Sequence, residues 1–191
     1  MKVRPLAIPE VLEIIPDRFG DSRGFFSETY SRGKFAEAGI KLDWVQDNHS
    51  YSASAGVIRG LHYQAPPFAQ DKLVRVVRGS IFDVAVDIRH GSPNFGKWVS
   101  LAVSAKDWNQ ILVPMGFAHG FLTLEPDTEV IYKVSAPYSA SHDRNIRFDD
   151  ADIGIDWPLD GVSPVLSEKD LRAPSFAAVD SGFRYGEEGN G

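Results

Sequence analysis

The chain contains no cysteine in its 191 residues. Disulfides, thiolate metal centres and a cysteine nucleophile are thereby excluded, and a reducing, cytoplasmic setting is the expectation. Long hydrophobic runs are missing as well. No segment approaches the roughly 20 apolar residues of a membrane helix, and the opening MKVRPLAIPEVLEIIP has no apolar core of signal-peptide length. There is no excess of positive charge: 26 acidic residues outnumber 20 basic ones, for a net charge of −6. General nucleic-acid binding draws its affinity from phosphate neutralisation and is therefore disfavoured, while a local cationic pocket for one pyrophosphate is compatible with that total. Internal repeats and low-complexity linkers are absent, and helical periodicity is scarce. What is there is ordinary globular composition, 43% hydrophobic and 24% charged, in a chain of a length that suits one domain.

The dominant pattern is period-2 alternation in short runs. In residues 80–88, Phe82, Val84, Val86 and Ile88 share one face and Ile81, Asp83, Ala85 and Asp87 the other. Comparable runs occupy 11–15, 25–30, 57–64, 73–78, 98–103, 110–113, 120–124 and 128–134, separated by turn clusters such as Gly91-Ser92-Pro93-Asn94 and Glu125-Pro126-Asp127. Many short strands so punctuated predict an all-β fold with a few short helices, either a β-sandwich or a double-sheet barrel, of which the jelly-roll barrel is one type. A two-turn helix is expected over 31–38, capped by Ser31 and stopped by Gly39, with single turns at 149–153 and 168–172. The expected organisation is one domain over 1–180 followed by a flexible tail over 181–191.

Two of the five histidines lie beside glycines on strands that would line a barrel interior: His62 in VIRGLHYQ and His119 in VPMGFAHGF. A strand histidine is ordinarily a hydrogen-bonded core residue. Here Arg59 and Lys72 are close in sequence, and cations are costly to bury without an anionic partner. Arg59 and His62 have opposite parity, so both reach one cavity only if the strand bulges, and Gly60 is suited to that. The Pro114-x-Gly116-x-x-His119 spacing resembles the second motif of the cupins. The metal-binding members pair that motif with His-x-His, where this chain has His62-Tyr63-Gln64. An amide is a poor transition-metal ligand beside imidazole, so no metal and no cofactor are expected, and His62 is free to act as a proton-transfer base.

A series of ordered motifs resembles the dTDP-4-dehydrorhamnose 3,5-epimerase family. They run from Asp21-Ser22-Arg23-Gly24-Phe25-Phe26 through Gln46-Asp47-Asn48-His49-Ser50 and Arg59-Gly60-Leu61-His62-Tyr63-Gln64 to Gln70-Asp71-Lys72. They continue through Gly116-Phe117-Ala118-His119-Gly120-Phe121, Tyr132-Lys133 and Tyr138-Ser139, and end at Leu166-Ser167-Glu168-Lys169-Asp170. Each piece alone is weak, and in order they span about 8–174.

The resemblance implies a cupin-like isomerase that epimerises C3 and C5 of a dTDP-linked 4-keto-6-deoxy sugar. In that reading His62 is the base, Asp170 orients it, Lys72 stabilises the enolate and Tyr132 returns a proton. His119, Arg23, Arg59 and Lys169 match substrate-contacting positions. Phe26, Glu28, Gln46, Asp47 and Asn48 match the base-and-ribose end, and Tyr138 stacks on the substrate or closes the site. The chain departs from the pattern after Tyr138, where Asp143 takes the place of a glutamate one methylene longer. The family also implies a homodimer that exchanges N-terminal strands. A single-position epimerase or a 3,4-ketoisomerase would use the same base, a sugar-nucleotide binder would not need the full set, and a metal-dependent oxygenase would need a ligand in place of Gln64.

Overall fold

A computed structural model describes residues 1–186. Two antiparallel sheets make up the body. The first contains six strands: β1 (Lys2–Pro5), β2 (Leu12–Ile15), β5 (Gln46–Ser52), β7 (Lys72–Arg78), β10 (Gln110–Val113) and β12 (Thr128–Val134), in the order β1-β2-β10-β7-β12-β5. The second has the order β13-β6-β11-β8-β9, built from β6 (Ile58–Gln64), β8 (Ser80–Asp87), β9 (Trp98–Ser104), β11 (Phe117–Thr123) and β13 (Asp143–Asn145). A separate hairpin pairs β3 (Phe19–Asp21) with β4 (Gly24–Phe26). The helices are α1 (Arg32–Glu37) and α2 (Glu168–Leu171), with a short 3-10 turn at Phe176–Ala178. Among the described residues, no helix is long and apolar enough to cross a membrane. This is the double-sheet, cupin-like architecture expected from the alternation.

The alternation works because both sheets are covered twice. Val74, Val76, Ile81, Val103, Ile111, Phe121 and Val130 fill the space between the sheets. On the far side of the five-stranded sheet, Leu61, Tyr63, Val84, Val86 and Leu122 are sealed by Ile146, Ile153 and Trp157 from the chain after β13. On the far side of the six-stranded sheet, Ile14, Leu73 and Leu112 meet Phe35 of α1. Both faces of β8 are therefore buried, and its acidic face points inward. Burial of apolar side chains at ~1.5–3 kcal/mol each holds the layers together.

Two expectations are corrected, and one strand lies outside the runs read from the sequence. Only Phe25 and Phe26 of the run 25–30 are paired in a strand. Beyond it, Ser27 Oγ donates to Asp17 O (2.7 Å) and the Gln110 side chain donates to Thr29 O (2.8 Å), so side-chain bonds replace a ladder. β5, a polar strand of sequence QDNHSYS, pairs along its whole length with β12 although hydrophobic alternation does not mark it. The tail expected from residue 181 is held as far as Tyr185, whose amide donates to His90 O (2.9 Å). Ser181 is buried and donates to Ile88 O (2.6 Å), and Arg184 bridges to His90. Residues 187–191 of that segment lie outside the described residues.

Candidate active site

The bulge expected at Gly60 is present. His119 pairs with His62 and Phe121 with Arg59, so three steps along β6 match two along β11. Gly60 has φ +122°, and a Cβ there would stand 2.6 Å from Gly120 Cα and 2.7 Å from His119 O. Only glycine fits this close backbone approach. The shift in parity lets Arg59 and His62 line the same cavity, of about 390 Å³, together with Ser50, Lys72, His119, Tyr132 and Asp170.

His62 Nε2 lies 2.6 Å from Asp170 Oδ1. Asp170 is carried by α2 and is itself positioned by the helix cap. Ser167 Oγ accepts from the Asp170 amide (3.2 Å) and donates to Asp170 Oδ2 (2.7 Å), which leaves Oδ1 for the imidazole. Burial alone would raise the Asp170 pKa, but the hydrogen bonds from His62 and Ser167 outweigh it and hold the carboxyl below its ordinary value. For His62 burial is the larger effect, and it keeps the imidazole below its ordinary value despite Asp170. A carboxylate at Nε2 favours the tautomer with its proton there and the lone pair on Nδ1. The ring is therefore neutral and oriented, with its Nδ1 lone pair able to accept a proton.

Lys72 is buried at the inner edge of β7, with the buried Val113 and Val134 as cross-strand neighbours. Among the described residues its Nζ donates only to His62 O, at 3.4 Å. Burial pulls its pKa down to about 8, with Asp83 and Asp143 opposing. Tyr132 enters from β12, on the wall opposite His62. Burial raises its pKa, so its phenol stays protonated. His119 Nε2 sits 2.9 Å from both carboxylate oxygens of Asp83, which is fully buried between the sheets. Burial pushes the Asp83 carboxyl up, and His119 and Lys72 oppose the shift. Arg59 donates to Tyr51 O (2.9 Å) and Ser52 Oγ (3.3 Å) and has no carboxylate partner among the described residues.

At the rim, Asp143 Oδ2 accepts from Tyr138 Oη (3.2 Å) and Lys169 Nζ (2.6 Å). Gln46 Nε2 donates to Asn48 Oδ1 (2.8 Å), and Gln46 Oε1 accepts from the Tyr138 amide (3.0 Å). Asn48 is the cross-strand partner of Tyr132. Asp47 faces the other side of the sheet, where it pairs with Lys133 (2.8 Å) at a second cavity of about 360 Å³. That second cavity shares Tyr132 with the first, and its own histidine, His49, is exposed and pairs with Glu129 at 3.0 Å, whereas the pair whose carboxylate is buried, His62–Asp170, lines the first. Arg23, Phe26 and Glu28 are not brought to either group. Arg23 pairs with Asp21 on an exposed hairpin, Phe26 is 67% exposed, and Glu28 pairs with Lys34.

Sequence reasoning missed Asp83, Ser50 and Ser167 as members of the site. Asp83 shares its parity with Ile81 and Ala85, which marks it as an inward carboxylate. Ser50 Oγ is buried in the cavity wall without a hydrogen-bond partner among the described residues. The Ser167-x-x-Asp170 spacing is a capping signature. Gln64 does not face the cavity as a free donor. Its amide is engaged with Phe68 O, Pro137 O and the Ser139 amide. Among the described residues no group of three His, Cys, Asp or Glu side chains is arranged to hold a metal ion.

A family profile described as dTDP-4-dehydrorhamnose 3,5-epimerase matches residues 5–178. The dTDP-4-dehydrorhamnose 3,5-epimerase of Sinorhizobium fredii is 52% identical over 185 residues, covering 97% of this chain and 94% of its own. The crystal structure of a dTDP-6-deoxy-D-glucose-3,5-epimerase from Legionella pneumophila in complex with dTDP-4-keto-L-rhamnose superposes with a TM-score of 0.92 at 42% identity, over 96% of this chain and 98% of that one. The dTDP-4-dehydrorhamnose 3,5-epimerase of Bacillus anthracis with TDP and PPi bound gives a TM-score of 0.88 at 47% identity, over 91% and 98%.

Proposed function

This chain belongs to the dTDP-4-dehydrorhamnose 3,5-epimerase family, and from that membership we propose a residue-level route for its reaction. It is an isomerase that converts dTDP-4-dehydro-6-deoxy-D-glucose to dTDP-4-dehydro-L-rhamnose. The ketone at C4 acidifies the hydrogens on C3 and C5. His62 Nδ1 takes one of these as a proton, and the electron pair of the C–H bond moves into the enolate oxygen at C4. Asp170 stabilises the imidazolium that forms. Lys72 holds the developing oxyanion in a water-poor setting, where a fixed charge is worth most. Tyr132 then delivers its phenolic proton to the opposite face of the carbon, and the resulting phenolate and imidazolium re-equilibrate with solvent. No metal or other cofactor has a part in this route.

One observation carries the reading. His62, held by Asp170 of α2, stands on the five-stranded sheet and the phenol on the six-stranded sheet, so the sugar has a base on one side and an acid on the other. Inversion at carbon needs that arrangement. Arg59 and Lys169 supply cations for the pyrophosphate, and Arg is suited to bidentate phosphate contacts. His119 and Ser50 supply hydrogen bonds to the sugar. Asn48 and Gln46 lie toward the nucleotide end. Arg23, Phe26 and Glu28 are away from this chain's own cavity, which supports a homodimer whose N-terminal segments reach the cavity of a second copy. Absence of cysteine is in keeping with work in the cytoplasm.

The test is incorporation of solvent deuterium into dTDP-4-dehydro-6-deoxy-D-glucose, read by NMR at each carbon. Label is expected at both C3 and C5, and in His62→Ala both rates fall by at least ~10³-fold, at the upper end for loss of a general base. Label at one carbon only would establish a single-position epimerase instead, and full-rate exchange in folded His62→Ala would remove His62 from the role.

A further inference from the structure

Tyr138 is 60% exposed and bonds to Asp143, whose carboxylate acts on Lys72 and Tyr132 of the cavity, yet the backbone around it is pinned at three successive residues. Gln64 Nε2 donates to Pro137 O (3.1 Å), Gln64 Oε1 accepts from the Ser139 amide (2.7 Å), and Gln46 Oε1 accepts from the Tyr138 amide between them. Gln64 Nε2 also donates to Phe68 O (2.7 Å), so every hydrogen-bonding position the buried amide uses is directed at this loop and its neighbour. The opposite end of the tyrosine is held as well: its hydroxyl donates to Asp143 Oδ2, and Asp143 is the cross-strand partner of Gln64. One residue pair across β6 and β13 thus grips Tyr138 from its backbone and its phenol.

Gln64 lies two residues from His62 on the same strand. An exposed aromatic needs no such anchoring to fold, and a buried amide costs desolvation that its bonds only roughly offset. A leucine would fill the same space more simply. The expense is explained if the position of Tyr138 relative to His62 matters to the reaction.

We propose that Gln64 is a positioning residue that fixes Tyr138 over the cavity mouth in register with His62, and thereby sets the balance of proton transfer between C3 and C5. The proposal rests on the epimerase reading above. With the tyrosine held, the sugar ring presents both carbons in turn to one base. With the loop released, the ring has more freedom and one carbon is favoured over the other.

The experiment measures deuterium incorporation at C3 and C5 separately, in the unsubstituted chain, Gln64→Leu, Tyr138→Ala and the double variant. Gln64→Leu is expected to change the C3:C5 rate ratio by about three- to tenfold, the size of one or two hydrogen bonds, in the same direction as Tyr138→Ala. The double variant is expected to show the ratio of Tyr138→Ala alone, because residues that act through one another are not additive. Gln64→Glu keeps the volume and the bond from the Ser139 amide while losing both Nε2 donations. It carries the same expectation if Gln64→Leu does not fold. An unchanged ratio in a folded Gln64 variant, or an additive double variant, overturns the proposal and leaves the epimerase reading intact. Absence of exchange at both carbons in the unsubstituted chain overturns both.

Discussion

Lys72 and His62 are tuned in the same direction by burial, and together they bound the working pH range. His62 must be neutral to accept a proton, and its pKa lies below the ordinary 6.5 because burial outweighs Asp170. Lys72 must be charged to hold the enolate, and burial brings its pKa to about 8. In kcat/KM, which reports the free enzyme, activity is expected to rise through an acid limb below 6.5 and to fall tenfold per unit above about 8. In Lys72→Arg the alkaline fall moves to higher pH, since a guanidinium stays charged, while the plateau drops because the fork does not fit an ammonium's place. An unmoved alkaline limb would assign it to another group. The same burial has a stability sign. Because the folded pKa is depressed, the folded state carries a disfavoured charge below about 8, and stability rises as pH increases from there toward 10.5. Lys72→Met is therefore expected to gain up to about 3 kcal/mol in urea unfolding at pH 7, with the gain shrinking through that window, and to lose the reaction. A destabilised Lys72→Met would refute the account.

At the level of elements, the site depends on the bulge between β6 and β11. Gly60→Ala would force a Cβ into the Gly120 backbone at 2.6 Å and impose φ +122° on a side chain. The expected cost is about 3 kcal/mol or more, read as a fall in melting temperature. Gly39→Ala, at φ +86° with open space around it, should cost only about 1 kcal/mol; similar losses at the two glycines would show that the close approach is not decisive. This bulge was legible in the sequence, because Arg59 and His62 have opposite parity and a glycine lies between them. So were the strands with apolar alternation and the helix that Gly39 stops, although Ser31, expected to cap that helix, makes no side-chain cap hydrogen bond. β5 was not legible, since its alternation is polar on both faces and its pairing with β12 comes from residues 76 to 88 positions away in sequence. Asp83 could be assigned a face but not a partner, because His119 meets it only through the pairing of β8 with β11. The association of Asp170 with His62 likewise depends on α2 folding back across 108 residues. The family resemblance implied that association, and strand periodicity alone did not.

At the level of the whole molecule, the hairpin of β3 and β4 is the part that a single copy leaves without a purpose. A two-stranded ribbon is marginally stable alone, and this one displays Phe19, Phe25 and Phe26 at 60%, 56% and 67% exposure. Phe25 at least stacks edge-on with Trp108, at 4.6 Å between ring centroids. Phe26 has no ring partner among the described residues. Clustered apolar exposure of this kind marks an interaction surface. Arg23, Phe26 and Glu28, expected at the nucleotide end, are all on or just after this hairpin. The homodimer proposed above accounts for both facts at once, since a second copy would cover the phenylalanines and receive the polar residues at its cavity. The chain should then sediment near twice its 21.1 kDa mass. Phe26→Asp places a charge in the contact without touching either core layer, so it should shift the equilibrium toward monomer while near-ultraviolet circular dichroism is retained. It should also weaken dTDP binding by about tenfold or more, the usual loss for a buried aromatic anchor. The two effects should be linked: raising the protein concentration should restore dimer and dTDP affinity together. A dimeric Phe26→Asp that binds dTDP normally would assign the hairpin another role, and a monomeric one that binds dTDP normally would show that each cavity is complete within one chain.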